Sequence, residues 1–542
     1  MTVYQLYHSK WFLSTLSCSS LPANLPWSLW VPIEVVAGAG VKYTGAVLEY
    51  EPYDEWGEEG GLGIVRENSR VLAEYVNLAK TQGADIFVAP EYGVTSIKLH
   101  QVKGDDLFSL MHYVPDPGFL FAPCILEVDS SNIEAIRTLS CAALENQIYV
   151  IVDMGEASPC NIDTASKNPF GNAIDNSYDC PESGYIFYNT QVVFNRNGTV
   201  IARYHKKNLF LEPEFMPGTE PDEQAVFTTD FGVTFTLQVC FDIAFLHPGV
   251  TNIETHGIKD VVMSTSWVDI LPFIIAPSVQ NGWSRGLGVN LLVSGYHLPE
   301  LSKLGSGIYR GFSNMAHDYV YDPESGNKLI VSEVESVASV SGKSPSTPRK
   351  SGKTSLSPKG NNSIRVRGSA EGSIKLGRDH LFLYDDLSEF SREILVHGES
   401  SEPHQAEVCH QDGLCCSLSY TSTSSLNYTF MAYSGILVEG FGVYKVYAQI
   451  CSVVWCQTED ISTCARVDDQ LPENDEFGPF TITGNFSVGH VYPMFLTRNL
   501  TLVQNDLYSI DGNGYTLTMS TEVPTQSLMT TGFYARWYQR DP

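Results

Sequence analysis

Apolar and polar positions fall into three patterns along this chain. In Val233–Val239 the apolar residues Val233, Phe235, Leu237 and Val239 alternate with Thr234, Thr236 and Gln238, the period-two pattern of a strand. Tyr43–Tyr50 (YTGAVLEY) alternates in the same way. In Arg66–Lys80 the apolar residues Val71, Leu72, Tyr75, Val76 and Ala79 recur at helical spacing, and Gly83 follows as a helix-ending residue. Ile86–Ala89, Ile148–Val152, Val261–Trp267 and Val289–Tyr296 are continuous apolar runs, which predict buried strands. Ser131 is placed to cap a helix running to about Asn146. Tyr188–Phe194 and Thr199–Tyr204 flank Asn197-Gly198, a hairpin signal. Strands alternating with helix-length segments predict an α/β layered sandwich. Beyond residue 376 the pattern changes. Tyr444–Val454 alternates in part, and Tyr515, Leu517 and Met519 alternate with Thr516, Thr518 and Ser520, which predicts a β-rich module.

Length adds a second core to this picture, because 542 residues exceed what one core usually holds. The expected division is a poorly defined N-terminus at 1–41, an α/β domain at 42–335, a linker at 336–375 and a β-rich domain at 376–542. Residues Ala338–Lys375 are rich in Ser, Gly, Pro and Lys, with eight Lys or Arg and a single acid, Glu371. So little apolar surface cannot offset the entropy of ordering, and a disordered, protease-sensitive linker is predicted there. The formal net charge of the whole chain is −29, which argues against nucleic acid and anionic membranes as partners. No apolar run is long enough to span a bilayer, and the closing GFYARWYQRDP carries no lipid-anchor signal.

Six of the twelve cysteines (Cys409, Cys415, Cys416, Cys451, Cys456 and Cys464) lie within 56 residues, without zinc-site spacing. Disulfides are expected among them, and a further bridge between Cys160 and Cys180 across a polar loop. Asn-X-Ser/Thr sequons begin at Asn197, Asn361, Asn427, Asn485 and Asn499. Together these predict a secreted, glycosylated protein. The N-terminus fits that reading poorly, since Lys10 precedes only a short, Ser-interrupted apolar run.

Candidate chemistry sits at three strand ends. Glu91 follows Ile86–Ala89, Lys206 follows the hairpin, and Cys240 ends Val233–Val239. Taken singly, each has a plainer reading: a solvated loop glutamate, a surface lysine and a small core thiol. In order, the segments PEYG, RYHKKNLFLE and VCFDIAF resemble the three signature segments of the nitrilase, or carbon–nitrogen hydrolase, superfamily. AVLEYEP, YNTQVVFNRNGTVIARYHKKNLF, STSW followed by LP, GVNLL, GSGIY, HLFLYDDLS and GLCCSLSY resemble its vanin/biotinidase branch, over roughly residues 42–535. The resemblance implies a four-layer α-β-β-α sandwich with an appended β-rich, disulfide-containing domain.

It also implies a Glu-Lys-Cys triad: Cys240 as nucleophile, Glu91 as general base, and Lys206 stabilising the tetrahedral intermediate. The backbone N–H of Phe241 is placed to share that last task. Glu212 resembles a further acid of the superfamily, and either positions Lys206 or lies at the surface. A Cys-His alternative through His205 or His247 is weaker, because His205 beside an inward-pointing Lys206 points elsewhere, and His247-Pro248 reads as a loop turn. No metal or organic cofactor is needed. The expected activity is hydrolysis of a small linear amide through a thioester, pantetheine-like or biotin amide-like. The competing readings are a catalytically silent secreted binding protein that keeps the fold, and an acyltransferase.

Overall fold

Alternation along the first strand decides the layering. Ala46 and Leu48 pack outward beneath helices, while Val47 packs inward against a second sheet. The computed structural model describes residues 40–126, 131–171, 174–311, 317–336, 380–398, 403–411, 413–422, 426–439, 442–467, 475–513 and 515–542. The N-terminal region before residue 40, most of the expected linker, and Asn361 lie outside the described residues.

In chain order the first thirteen strands are β1 (Val41–Glu49), β2 (Ile86–Val88), β3 (Tyr149–Pro159), β4 (Tyr185–Phe194), β5 (Val200–His205), β6 (Val226–Thr228) and β7 (Thr234–Val239), then β8 (Asp260–Thr265), β9 (Ile270–Leu271), β10 (Asn290–Gly295), β11 (Ser306–Arg310), β12 (Asp318–Val320) and β13 (Lys328–Ser336). One sheet has the order β13-β1-β2-β3-β4-β5 and the other β12-β11-β10-β8-β7-β6. Val47, Val88, Ile151 and Val193 of the first meet Phe235, Leu237, Val261 and Leu291 of the second in one core. The helices Gly61–Thr81 and Glu134–Asn146 cover the outer face of the first sheet through Ile64, Leu72, Val76 and Leu139. Helix Ala276–Leu287 lies against the second sheet, with Trp283 fully buried. This is the four-layer α-β-β-α sandwich.

Local differences from the sequence pattern have identifiable causes. The first helix begins at Gly61, a turn before the periodic stretch. Gly61 is a poor helix former, but a Cβ there would meet Ser109 Oγ at 2.2 Å, so tertiary packing requires glycine at that end. Ser131 opens a 3₁₀ turn, Ser131–Ile133, and the α-helix starts at Glu134. The β4–β5 hairpin turns at Gly198, whose φ is +71° and whose carbonyl accepts from Ser140 Oγ at 2.6 Å. That bond docks the turn on the helix, and a left-handed backbone against Ser140 leaves room only for glycine.

The C-terminal residues form two antiparallel sheets. One comprises Ser391–Ile394, Asn427–Glu439, Tyr444–Cys456, Leu528–Arg536 and Val491–Thr497. The other is built on His404–Cys409, Cys415–Ser422, Glu476–Asn485, Thr516–Ser520 and Ser509–Asn513. A Cys416–Cys451 disulfide staples the two, and Cys409–Cys415 and Cys456–Cys464 close local loops. Cys160–Cys180 is also formed, as is Cys124–Cys141, which no sequence cue had suggested. Among the described residues Cys240 is the one free cysteine, and no helix is long and apolar enough to cross a membrane. Asn197, Asn485 and Asn499 are exposed, and Asn427 is half-buried.

Candidate active site

The ends of β2, β5, β7 and β8 converge. Glu91 follows β2, Lys206 follows β5 and Cys240 follows β7, and all three side chains are buried. The ends of these strands must open into turns somewhere. Here the turns are tight: Cys240 has φ +47° and Tyr92 has φ +54°, both in the left-handed region that non-glycine residues rarely occupy. Strain of this kind is held by its surroundings. At Cys240 the holder is Asp242. Its carboxylate accepts from Val239 N at 2.9 Å, from Asn208 N at 3.0 Å and from Tyr204 Oη at 2.8 Å. One side chain thus ties the nucleophile turn to the Lys206-Lys207-Asn208 loop.

Lys206 Nζ donates to Glu91 Oε1 and to Glu212 Oε2, each at 2.7 Å. Glu212 is therefore at Lys206, and not at the surface. Asn189, on β4, donates through Nδ2 to Glu91 Oε1 at 2.9 Å and to Glu212 Oε1 at 2.7 Å, so the two carboxylates share both an ammonium and an amide. Tyr92 Oη and Phe210 N also donate to Glu212. The second oxygen of Glu91 accepts from Ser266 N at 2.7 Å, just past β8. Every oxygen of the pair thereby has a donor, which is what keeps buried charges tolerable.

The electrostatics follow from this arrangement. Burial opposes the charge on Lys206, yet Glu212 and Glu91 hold its ammonium well above the ordinary lysine range. Burial likewise opposes the charge on Glu212, but Lys206 holds its carboxyl below the ordinary range. Burial, reinforced by Glu91, pushes the Cys240 thiol up to about 12, against the pull of Lys206, Thr265 and Lys303. Cys240 thus rests as a thiol, and would need a base to take its proton before it could act as a nucleophile. Glu91 lies within electrostatic reach of that thiol. Phe241 is the second residue of the 3₁₀ turn Cys240–Ala244, where the first N–H groups have no partner within the turn.

His205 and His247 are placed elsewhere. His205 is buried and bonded to Glu156 at 2.9 Å, lies 2.5 Å from Glu220, and stacks on Tyr188 with ring centroids 3.9 Å apart. His247 pairs with Asp222, beside Lys207. An aromatic wall stands over the Cys240 turn. Tyr444, from the C-terminal sheets, packs on Phe210 and Phe241 with centroids 5.5 and 4.9 Å away, and its hydroxyl accepts from Leu211 N at 2.6 Å.

Sequence reasoning missed Asn189, Asp242, Ser266 and Tyr444. Asn189 carried a signal, a carboxamide in a strand with apolar residues at both ends, because buried polar groups need partners. Tyr444 carried none.

A family model of the carbon–nitrogen hydrolase matches residues 65–259, and one of the vanin C-terminal domain matches residues 380–541. The chain is 30% identical over 510 residues to a pantetheinase of Homo sapiens, covering 93% of this chain and 89% of that protein. It is 29% identical over 494 residues to a pantetheine hydrolase, also of Homo sapiens, covering 89% and 85%. It is 28% identical over 522 residues to a biotinidase of Bos taurus, covering 92% and 93%. The chain belongs to the vanin and biotinidase branch of the carbon–nitrogen hydrolase superfamily, and is a hydrolase of carbon–nitrogen bonds in amides other than peptides.

Proposed function

We propose that Cys240 attacks the carbonyl of a small linear amide while Glu91 takes the thiol proton. The sulfur–carbon bond forms and the carbonyl electrons move onto oxygen. Lys206 and the N–H of Phe241 stabilise that oxyanion. Collapse breaks the carbon–nitrogen bond, and the amine leaves with the proton held by Glu91. Water, activated by Glu91, then hydrolyses the thioester. The observation that carries this reading is the buried Glu91–Lys206–Glu212 network beside a lone, strained cysteine. Glu212 and Asn189 serve to hold Lys206 and Glu91 in place.

Pantetheine is the substrate this reading favours, cleaved to pantothenate and cysteamine. The pantetheinase relatives support it, and the comparable match to biotinidase makes biotin amides the second choice. Mass spectrometry of intact protein mixed with each amide is the test. A thioester adduct on Cys240, lost in Cys240→Ala, with release of pantothenate, supports the reading. Turnover that survives Cys240→Ala overturns it. An adduct from biotin amides alone moves the substrate to the second choice.

Residues 42–335 and 376–542 are the two domains of this proposal, joined by the linker 336–375. Secretion is supported by five disulfides among the described residues and by exposed sequons.

A further inference from the structure

Tyr92 follows Glu91 directly, and its left-handed backbone has a holder of its own. That holder is Asp153, a fully buried residue of β3. Its Oδ1 accepts from Tyr92 N at 2.7 Å, and its backbone carbonyl accepts from Val94 N at 3.4 Å. The N–H of Tyr92 belongs to the planar peptide that also carries the Glu91 carbonyl, so Asp153 fixes the plane from which the base projects. Tyr92 then carries the grip across the site. Its hydroxyl donates to Glu212, and its ring stacks on Phe215 with centroids 6.4 Å apart. Asp153 thus reaches both carboxylates that Lys206 joins, yet no step of the proposed mechanism uses it.

The other oxygen of Asp153 decides its charge. Oδ2 is buried and has no hydrogen-bond partner among the described residues. Two further acceptors on the same face of β3 and β4 share that condition, Gln191 Oε1 and Asn189 Oδ1. Both amides are fixed in orientation. Ser264 Oγ donates to Ala89 O at 2.7 Å, so it must accept from Gln191 Nε2 at 2.9 Å, which leaves Gln191 Oε1 without a donor. Asn189 is committed by the two carboxylates that its Nδ2 serves. Gln191 is the direct antiparallel partner of Asp153, and residues so paired stand with Cβ atoms about 5 Å apart. One proton on Asp153 Oδ2 supplies this group of acceptors with the donor it lacks. The count of charges agrees. Lys206 is shared by Glu91 and Glu212, and among the described residues no cation pairs with Asp153. An unpaired buried carboxylate is costly. Burial, then Glu91, hold this carboxyl well above the ordinary range, against the Tyr92 bond and the charge of Lys206.

We propose that Asp153 is a positioning residue that holds the Glu91–Tyr92 peptide as a neutral carboxylic acid, a role that rests on Glu91 being the general base. In this state one oxygen accepts from Tyr92 N and the other donates, and no third anion competes with Glu91 for Lys206. The ionisable groups that act on Asp153 are Glu91 and Tyr92 from the turn after β2, and Lys206 and Glu212 from the loop after β5. The second sheet meets this cluster through Ser264, which does not titrate, and Cys240 lies within electrostatic reach of Glu91.

The experiment is steady-state hydrolysis of pantetheine and of a biotin amide across pH, by the whole protein with its disulfides in place. Active sites are counted by intact mass as the iodoacetamide adduct on Cys240. Asp153→Ala should lower kcat per counted site about a hundredfold with KM within about threefold, as expected of a base misplaced by about 1 Å. Asp153→Leu fills the space without an acceptor, should behave alike, and decides the matter where Asp153→Ala is not recovered folded. Asp153→Asn keeps an acceptor for Tyr92 N and a donor for Gln191, so it should stay within about threefold of wild type. The acid limb of its kcat/KM profile, which reports the base of the free enzyme, should coincide with that of wild type. A limb displaced downward by on the order of one pH unit would mean that wild type carries a charge at Asp153, and overturns the proposal. So does Asp153→Asn as slow as Asp153→Ala. Ala and Leu variants with wild-type kcat per counted site, whatever their yield, would mark Asp153 as a support of the fold alone and overturn it too. Glu91→Gln is the control: wild-type turnover in that variant, or a wild type that hydrolyses neither amide, overturns the reading of Glu91 and this role with it.

Discussion

Asn189→Ala removes one amide, and its cost can be worked from the geometry. Asn189 Nδ2 makes two bonds to ionised oxygens, at 2.9 Å to Glu91 and 2.7 Å to Glu212. Hydrogen bonds to charged groups contribute about 1.5–3 kcal/mol each, so the pair amounts to about 3–6 kcal/mol. Two effects reduce that. Lys206 keeps both carboxylates paired, and the space left is polar enough to admit a water. The expected loss of stability is about 3 kcal/mol. The catalytic loss has a separate origin. Glu91 would keep Lys206 and Ser266 but lose its third partner, and misplacement of a base by about 1 Å costs about a hundredfold in rate. Turnover of the proposed substrate, pantetheine, should therefore fall about a hundredfold in kcat/KM, together with a lowered thermal midpoint. Asn189→Asp should be worse on both counts, since a third carboxylate would face the other two. An Asn189→Ala enzyme within threefold of wild type in kcat/KM and within about 0.5 kcal/mol in stability would refute the reasoning. Lys206 alone would then suffice to hold the pair.

Three further outcomes are expected. Tyr444→Ala should lower kcat/KM about tenfold by opening the wall over Phe241, whereas Tyr444→Phe, which keeps the ring, should cost under about threefold; equal losses would mean that the hydroxyl bond to Leu211 matters more than the packing. Glu220 is depressed to about 2: burial opposes its charge, but the hydrogen bond and charge of His205 prevail. A depressed carboxylate adds stability above its unfolded pKa and loses it as pH falls. Wild type should thus exceed Glu220→Gln by on the order of 1–2 kcal/mol at pH 7, and thermal midpoints should converge between about pH 4.5 and pH 2. Replacing Cys124 and Cys141 together by Ser reopens a loop of 17 residues and should cost about 3 kcal/mol, read as a lowered unfolding midpoint; an unchanged midpoint would mean the loop is held by its packing.

The three strand ends were legible because each depends on a local pattern. Alternation in Val233–Val239, an apolar run before Glu91 and a hairpin before Lys206 place each residue at an edge without reference to the others. What surrounds them was not legible, because it is assembled from elements far apart in the chain. Asn189 comes from β4, Ser266 from the end of β8, and Tyr444 from the C-terminal sheets. The sequence left Glu212 open between two positions, and only the fold of the loop after Lys206 brings it back to that lysine. Cys124 and Cys141 lie in a connection and a helix with no cue that they face each other. The helix start at Gly61 was hidden for a related reason: Ser109 approaches it too closely for a Cβ, and no neighbour in sequence reveals that.

Tyr444 shows that what covers the Cys240 turn comes from outside the sheets that hold the proposed catalytic groups. The proposed bond-breaking groups all belong to the first two sheets, yet a ring that closes over the residue after the nucleophile is lent by a different part of the polypeptide. Two chains can therefore share every signature residue and still differ in the ring that covers this turn.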